Sequence, residues 1–181
     1  MSTKKTMIPV TPVGGTFEVA GIEFIKFPTE GDKVPAVAKD ILFNSRFGSN
    51  NDFRQSDVLN KLEAEILPKI IEAVGKDNLR TIHTDLTTLD GLKPYGIMES
   101  LISLPTLDFY RKHAEIFDKH KVRSWWWLAT PDSAQPHYDP VWSLCVSPSG
   151  YVRFGYCGSD IGVRPILLFE SSIFESSGAE E

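Results

Sequence analysis

Apolar residues recur at helical spacing in one clear segment of the chain, between residues 56 and 75. Ser56 is suited to cap the start of a helix, because a serine hydroxyl accepts a hydrogen bond from a free backbone N–H. Pro68 lacks the N–H that a helix interior requires, so we expect a break or kink there, and Gly75 is expected to end the helix. The apolar stripe is formed by Leu59, Leu62, Ile66, Ile70 and Val74 and is widened by Val58, Leu67 and Ile71.

Shorter apolar segments flanked by turn residues predict strands on both sides of this helix. A second helix is expected to start at the cap residue Thr106 and to run to about Phe117. Residues 79–86 form either a strand or an extended loop, and residues 34–43 form one or two strands. The other predicted strands are 17–19, 22–27, 99–104, 125–130, 141–146, 151–156 and 163–169.

Three consecutive tryptophans, Trp125, Trp126 and Trp127, mark the start of the last third of the chain. Successive side chains of a strand point to opposite faces of the sheet. At least one of the three indoles must therefore face away from the core that the others fill.

The order of elements predicts an α+β fold, since strands come first, two helices lie in the middle and strands close the chain. In this arrangement the two chain ends are expected to lie close together. Residues 1–15 contain several prolines and glycines with little periodicity, and they predict an extended arm that is ordered only if something pairs with it. We expect a single domain over residues 16–174 and an acidic tail over residues 175–181.

The overall composition excludes several classes of protein. The 181 residues are 41% hydrophobic and 24% charged, as in ordinary globular proteins. The net charge of −5 argues against a nucleic-acid partner, which requires a basic face. No apolar stretch approaches the roughly 18 residues of a membrane helix, and the N-terminal residues lack the apolar core of a secretory signal. We expect a protein that stays in the bacterial cytoplasm or leaves it inside a virus particle, with no membrane partner.

Signals for catalysis are absent from the sequence. No nucleophile elbow and no glycine-rich phosphate loop are present. The histidines lack the tight spacing of metal ligands, so surface or loop positions are the better interpretation for His83, His113, His120 and His137. We predict no catalytic residue, no metal and no cofactor.

The two cysteines, Cys145 and Cys157, are twelve positions apart. If a hairpin turns at residues 147–150, they lie opposite about Val152 and Pro140 and are not cross-strand neighbours. We therefore expect two reduced thiols in apolar surroundings, which is the setting of inert cysteines.

Aromatic side chains are concentrated between residues 125 and 156. Such rings either fill the core, where each buries about 150–250 Å², or form a recognition surface, since interfaces favour Tyr, Trp and Arg. In the predicted hairpin, the side chains of Trp142, Leu144 and Val146 share one face. We expect the outward residues and the loop of residues 132–139 to contact a partner, and the predicted contact residues are Tyr138, Trp142, Tyr151, Arg153 and Tyr156.

Several blocks of the sequence resemble one uncharacterised family of bacterial and phage domains. The family carries a "WWLRSP" signature, a "dG-x-V" hairpin, a closing "GVRPal" strand, a "flLs" strand and a pattern "N-x-W-x-x-S-x-l-r-x-W-L-N". The similar blocks here are residues 124–131, 149–152, 162–167, 101–104 and 51–60, the last with Phe53 for the tryptophan. The blocks are scattered over residues 16–174, and their order and spacing carry the resemblance.

The resemblance implies a C-type-lectin-like fold, with two helices beside a twisted antiparallel sheet and an extended N-terminal arm. Related folds include formylglycine-generating sulfatase-modifying enzymes and the variable proteins of diversity-generating retroelements. In this setting Gly162 would permit a tight start to the last strand. Arg164 would be a partly buried guanidinium that needs carboxylate or carbonyl partners.

Two departures from these relatives limit what the resemblance implies. Ala129 and Thr130 stand where the family signature has Arg and Ser, so no role of that arginine is carried over. The formylglycine-generating enzymes use a closely spaced cysteine pair. Cys145 and Cys157 do not match that spacing, and the activity is not carried over either.

The sequence thus favours a non-enzymatic structural or binding domain, most simply a phage virion component such as a capsid decoration, fibre or tail-associated protein for display or adhesion. Its partners would be other virion or surface proteins and a glycan or protein of the host surface, and it would form a homo-oligomer. Two alternatives stay open: an enzyme of the sulfatase-modifying type that uses a thiol with a metal, and a cytoplasmic bacterial interaction module. A calcium-dependent lectin is less favoured, because Asp132, Asp139 and Asp160 do not cluster.

Overall fold

The computed structural model describes residues 7–174. The strands are β1 (Thr16–Val19), β2 (Ile22–Lys26), β3 (Lys33–Ala38), β4 (Phe43–Ser45), β5 (Leu79–Arg80), β6 (Ile82–Asp85), β7 (Ile97–Ser100), β8 (Trp126–Pro131), β9 (Trp142–Val146), β10 (Val152–Tyr156), β11 (Ile161–Val163) and β12 (Ile166–Glu170). The α-helices are α1 (Asp57–Lys61), α2 (Leu67–Val74), α3 (Leu107–Lys112) and α4 (Ala114–Lys119). None of the helices within residues 7–174 combines the length and the apolar character needed to cross a membrane.

The strands form two five-stranded sheets and a two-stranded ribbon, so the fold mixes helices with several antiparallel sheets. The first sheet has the order β1-β2-β3-β12-β5, the second has the order β10-β9-β8-β11-β4, and β6 pairs with β7. All pairs are antiparallel except β8 with β11. The predicted α+β class is confirmed at this level, but the expectation of a single sheet is wrong. The predicted strand over 163–169 is in fact divided at Arg164 and Pro165, which send β11 and β12 to different sheets.

The first helix begins and ends where the sequence predicts. The Ser56 hydroxyl accepts a hydrogen bond from the backbone N–H of Leu59 at 3.0 Å, and Gly75 ends α2 with a positive φ of 83°. The helical run is not broken at Pro68, which lies in the first turn of α2. A π-helical turn at Leu62–Ile66 connects α1 to α2. The proline has no backbone N–H to donate to the preceding turn, and the wider π turn lets the helical run continue in spite of this.

The second helical segment also starts at its predicted cap, because the Thr106 hydroxyl accepts from the N–H of Phe109 at 3.2 Å. It is divided at His113, whose φ and ψ of −117° and 28° are not helical. His113 is buried and packs against Phe109 and Phe27 with ring centroids 4.6 and 5.2 Å apart. Burial lowers the pKa of His113. His113 is therefore an aromatic core residue, and the prediction of a surface or loop position is wrong for it.

Two hydrophobic clusters fill the molecule, one around α1–α2 and one around α3–α4. The tryptophan run is shared between them as strand geometry requires, since Trp127 lies in the first cluster and Trp126 in the second. Trp125 is 41% exposed. The prediction that one indole must face away from the core of the others is therefore confirmed.

Arg164 lies where the chain passes from the second sheet to the first, and its side chain is fully buried. Its guanidinium donates to the backbone carbonyls of Ala38 and Lys39, each at 3.0 Å, and lies 4.6 Å from the ring centre of Trp126. Burial lowers the pKa of Arg164 to about 10. The predicted need for carbonyl partners is met, although the burial is complete rather than partial.

Residues 7–15 of the predicted arm lie against the first sheet and the end of the chain. The N–H of Ile8 donates to the carbonyl of Ile173 at 2.8 Å, and the Ile8 side chain is buried. Lys26 donates through Nζ to the carbonyl of Thr11 at 2.8 Å. The two ends of the described chain therefore lie together, as predicted, whereas the predicted acidic tail lies outside the described residues.

Gly162 provides a test of the junction between β8 and β11. A Cβ atom at this position would lie 2.8 Å from the carbonyl oxygen of Trp125 and 2.5 Å from the side chain of Ile41. Gly162→Ala should therefore lower the free energy of unfolding by about 1–3 kcal/mol through overpacking, measured by urea denaturation. Gly48→Ala is the control, because its Cβ would have its nearest neighbour at 3.4 Å. Equal unfolding free energies for the two variants would contradict the tight contact.

Candidate functional site

The hairpin of β9 and β10 carries most of the predicted contact residues. Its register pairs Trp142 with Tyr156, Leu144 with Phe154 and Cys145 with Arg153. The sequence placed Cys145 opposite Val152, which is wrong by one residue, because the bond from Ser147 N–H to the carbonyl of Tyr151 closes a loop that is one residue longer than that pairing implies. Cys157 is likewise not opposite Pro140, since its N–H donates to the carbonyl of Val141. Both cysteines are free, as expected.

The five predicted contact residues fall into two groups. Trp142 and Tyr156 share one face of the hairpin, with ring centroids 5.8 Å apart, and Tyr138 comes from the adjoining loop. Arg153 lies on the other face, where its guanidinium is 5.1 Å from the ring centre of Tyr151. Of the first group, Trp142 and Tyr138 line a concavity, whereas Tyr156 and the second group do not.

The loop between β8 and β9, residues 132–141, is held at its base by the buried side chain of Asn51. The Asn51 amide donates to the carbonyls of Ser133 and Trp142 at 2.7 and 2.9 Å. Its oxygen accepts from the hydroxyl of Tyr95 at 2.6 Å, and its backbone N–H donates to the carbonyl of Pro140 at 2.8 Å. One residue near the N-terminal end of the first helical segment thus fixes both ends of the loop.

Asp90 holds the same loop from the other side. It lies in the turn between β6 and β7, and its carboxylate accepts hydrogen bonds from the Ser133 hydroxyl at 2.6 Å and from Nδ1 of His137 at 3.0 Å. The hydroxyl of Thr88 donates to its other oxygen. Together these bonds, led by that from Ser133, hold the pKa of Asp90 well below its usual range. Asp90 is therefore an anion at neutral pH.

Asp90 and the aromatic face of the hairpin enclose a cavity of about 440 Å³. This volume lies within the range of roughly 300–1,000 Å³ that is usual for small-molecule sites. Phe154 and Tyr138 are 59% and 60% exposed, although large apolar side chains are normally buried. The lining residues are Asp90, Asp132, Ser133, His137, Tyr138, Trp142 and Phe154. We call this the acidic aromatic cavity.

Asp132 is the second carboxylate of the cavity and differs from Asp90 in its contacts. It is half-buried, and within residues 7–174 no hydrogen-bond donor reaches its side chain. Burial, together with the nearby charge of Asp90, raises the pKa of Asp132. The cavity therefore contains one satisfied carboxylate and one without a partner.

The polar groups of the cavity do not form a catalytic triad. Ser133 and His137 both donate to Asp90, so no base is positioned to take a proton from the Ser133 hydroxyl. Within residues 7–174, no group of three or more metal-ligating side chains comes together. The thiols are also unsuited to catalysis, because burial raises the pKa of Cys145 to about 11 and that of Cys157 to about 12.

A second concavity of about 480 Å³ lies between the end of β3 and the segment after α4. Its charged side chains include Lys39, Lys121 and Asp40, and no Phe, Tyr or Trp is found among its described lining residues. Lys39 and Lys121 already pair with carboxylates, at 3.5 and 2.8 Å. Solvated, paired surface charges bind little, so the acidic aromatic cavity is the better candidate site.

Sequence reasoning anticipated part of this cavity. Tyr138 and Trp142 are among the predicted contact residues, and Asp132, Ser133 and His137 lie in the loop predicted to accompany them. Phe154 was considered only as part of the aromatic concentration, although its alternation with Arg153 places it on the same face as Trp142. Asp90 was missed, since nothing in the sequence indicates that it meets a loop more than forty positions away.

No family model, curated protein or solved structure matches this chain. The functional argument therefore rests on the geometry of the cavity and on the sequence resemblance.

Asn51 provides a test of how the loop is held. Asn51→Asp keeps the size of the side chain but replaces the donor amide with an acceptor facing two carbonyls. The free energy of unfolding should fall by about 2–4 kcal/mol, because a buried charge and two unpaired carbonyls result. Hydrogen exchange should accelerate in residues 132–141 before it does in β12. The exposed Asn60→Asp is the control, and equal effects of the two substitutions would contradict the anchoring role.

Proposed function

We propose that the protein is a non-enzymatic binding domain with a C-type-lectin-like fold and that it serves as a structural component of a phage particle. In this proposal it recognises a ligand through the acidic aromatic cavity. The observation that carries the proposal is the cavity itself, in which exposed aromatic rings and an unpartnered carboxylate share one concave surface.

The rigidity of the loop supports recognition. Asn51 fixes its ends and Asp90 fixes its middle, so the cavity walls are held before a ligand arrives. Preformed sites bind more tightly because less conformational entropy is lost on binding. Trp142 gains further support from Tyr156, whose ring packs against it edge to face.

The lectin-like and virion assignments are supported by the sequence resemblance and by general architecture. The two described ends lie together through the bond between Ile8 and Ile173, as that fold would require. The closing hairpin and its adjoining loop carry the exposed aromatic residues, the region that a display protein would vary. Neighbouring virion proteins and a host-surface glycan or protein are the proposed partners, and a homo-oligomer is the proposed assembly.

The alternative of a thiol-dependent enzyme finds less support. Such an enzyme needs an accessible thiol with a depressed pKa, and burial moves the pKa of Cys145 and Cys157 in the opposite direction. The alternative of a cytoplasmic interaction module shares the binding role and differs only in location.

Location and assembly are tested together by measuring the native mass of the purified chain with light scattering and by mass spectrometry of particles from its source. We expect a trimer or larger assembly and a stoichiometric presence in particles. A monomer that is absent from every particle would contradict the virion role and would favour the cytoplasmic module.

Recognition through the cavity is tested by ligand-observed NMR with a panel of neutral methyl glycosides, amino sugars and short peptides. At least one class should give saturation transfer that Trp142→Leu reduces about tenfold, since base or sugar stacking on one aromatic ring contributes on the order of 1–3 kcal/mol. Tyr151→Leu removes an exposed ring from the other face and should leave the signal unchanged. Signals that are the same in both variants would place binding elsewhere on the molecule.

A further inference from the structure

The charge of the acidic aromatic cavity is unbalanced. Asp90 and Asp132 both line it, whereas no Lys or Arg is found among its described lining residues. Two donors of the lining, the Ser133 hydroxyl and Nδ1 of His137, are already committed to Asp90. The carboxylate of Asp132 is free to accept hydrogen bonds, and no protein group within residues 7–174 balances its negative charge.

The aromatic walls add to the same preference. Trp142, Tyr138 and Phe154 border the cavity from the hairpin and the loop. The faces of aromatic rings carry partial negative charge and attract cations, most strongly when the cation is partly removed from water. A neutral sugar could stack on these rings and donate hydroxyl hydrogen bonds to the carboxylates, but it would leave their negative charge unbalanced. An anion would meet two like charges.

From this juxtaposition we infer that the ligand group bound in the cavity is an organic cation, an alkylammonium head carried on a larger molecule. The ammonium charge lies against Asp132, and its alkyl substituents contact Trp142, Tyr138 and Phe154. This inference rests on the proposed recognition role of the same cavity and specifies the chemical class that it selects.

The experiment compares choline with its uncharged carbon isostere, dimethylbutanol, which has the same shape without the charge. Both are titrated into the full chain by calorimetry and by backbone amide NMR. Choline should bind and shift the resonances of residues 132–142, and dimethylbutanol should bind at least about tenfold more weakly.

Two variants assign the contributions. Asp132→Asn removes the unpartnered charge and should weaken choline binding at least fivefold to tenfold, on the order expected for a partly desolvated ion pair or cation–π contact. Trp142→Leu should weaken it similarly. The exposed Asp160→Asn and Tyr151→Leu are the matched controls and should leave the affinity unchanged. Unchanged amide spectra outside the loop verify that each variant is folded.

Absence of choline binding, equal binding of the two probes, or full affinity in Asp132→Asn would each overturn the inference. These outcomes differ from failure of the proposed function. If choline fails while a neutral glycoside still binds in a Trp142-dependent manner, the cavity remains a recognition site and only the cationic ligand is wrong. If no probe in either experiment depends on Trp142, both the inference and the recognition role fail.

Discussion

The buried guanidinium of Arg164 is the interaction on which the arrangement of the two sheets depends. Arg164 lies where the chain passes from β11 in the second sheet to β12 in the first. It donates to the carbonyls of Ala38 and Lys39, where the chain leaves β3 for β4 of the second sheet, and so joins these two passages. Its side chain also lies over Trp126 of the second sheet. A buried charge without a carboxylate is costly unless carbonyls and aromatic faces surround it. The contacts of the Arg164 guanidinium thus bring the strands, Trp126 and the end of α4 together at one place. They leave little freedom in how the two sheets pack against each other.

The candidate site depends on a similar arrangement at smaller scale. Asn51 precedes α1, yet its amide bonds to both ends of the loop that follows β8. Asp90, from the turn between β6 and β7, reaches the same loop through Ser133 and His137. The loop has no regular structure of its own, so its shape is imposed by side chains from two distant parts of the chain. Loss of the Asn51 anchor should therefore change the cavity without removing any residue that lines it.

Local signals in the sequence were sufficient for local structure. The caps at Ser56 and Thr106, the stop at Gly75 and the opposed directions of Trp126 and Trp127 all follow from the chemistry of a few adjacent residues. The division of the strands between two sheets did not follow, because it depends on which distant strands pair with one another, and no local pattern encodes that. For the same reason the aromatic part of the site could be predicted from alternation along the hairpin, whereas Asp90 is brought to it only by tertiary contacts.

The two carboxylates of the cavity differ in the contacts that they make within the protein. Asp90 is fully engaged in holding the loop, and its depressed pKa reflects hydrogen bonds from within the protein. Asp132 has no such bonds, and its raised pKa reflects burial beside a like charge. A protein that only needed a stable loop would gain stability from an uncharged residue at position 132, since an unpaired, half-buried carboxylate costs free energy. In the proposed role, a ligand that supplies a positive charge would recover that cost, and a neutral or anionic ligand would not.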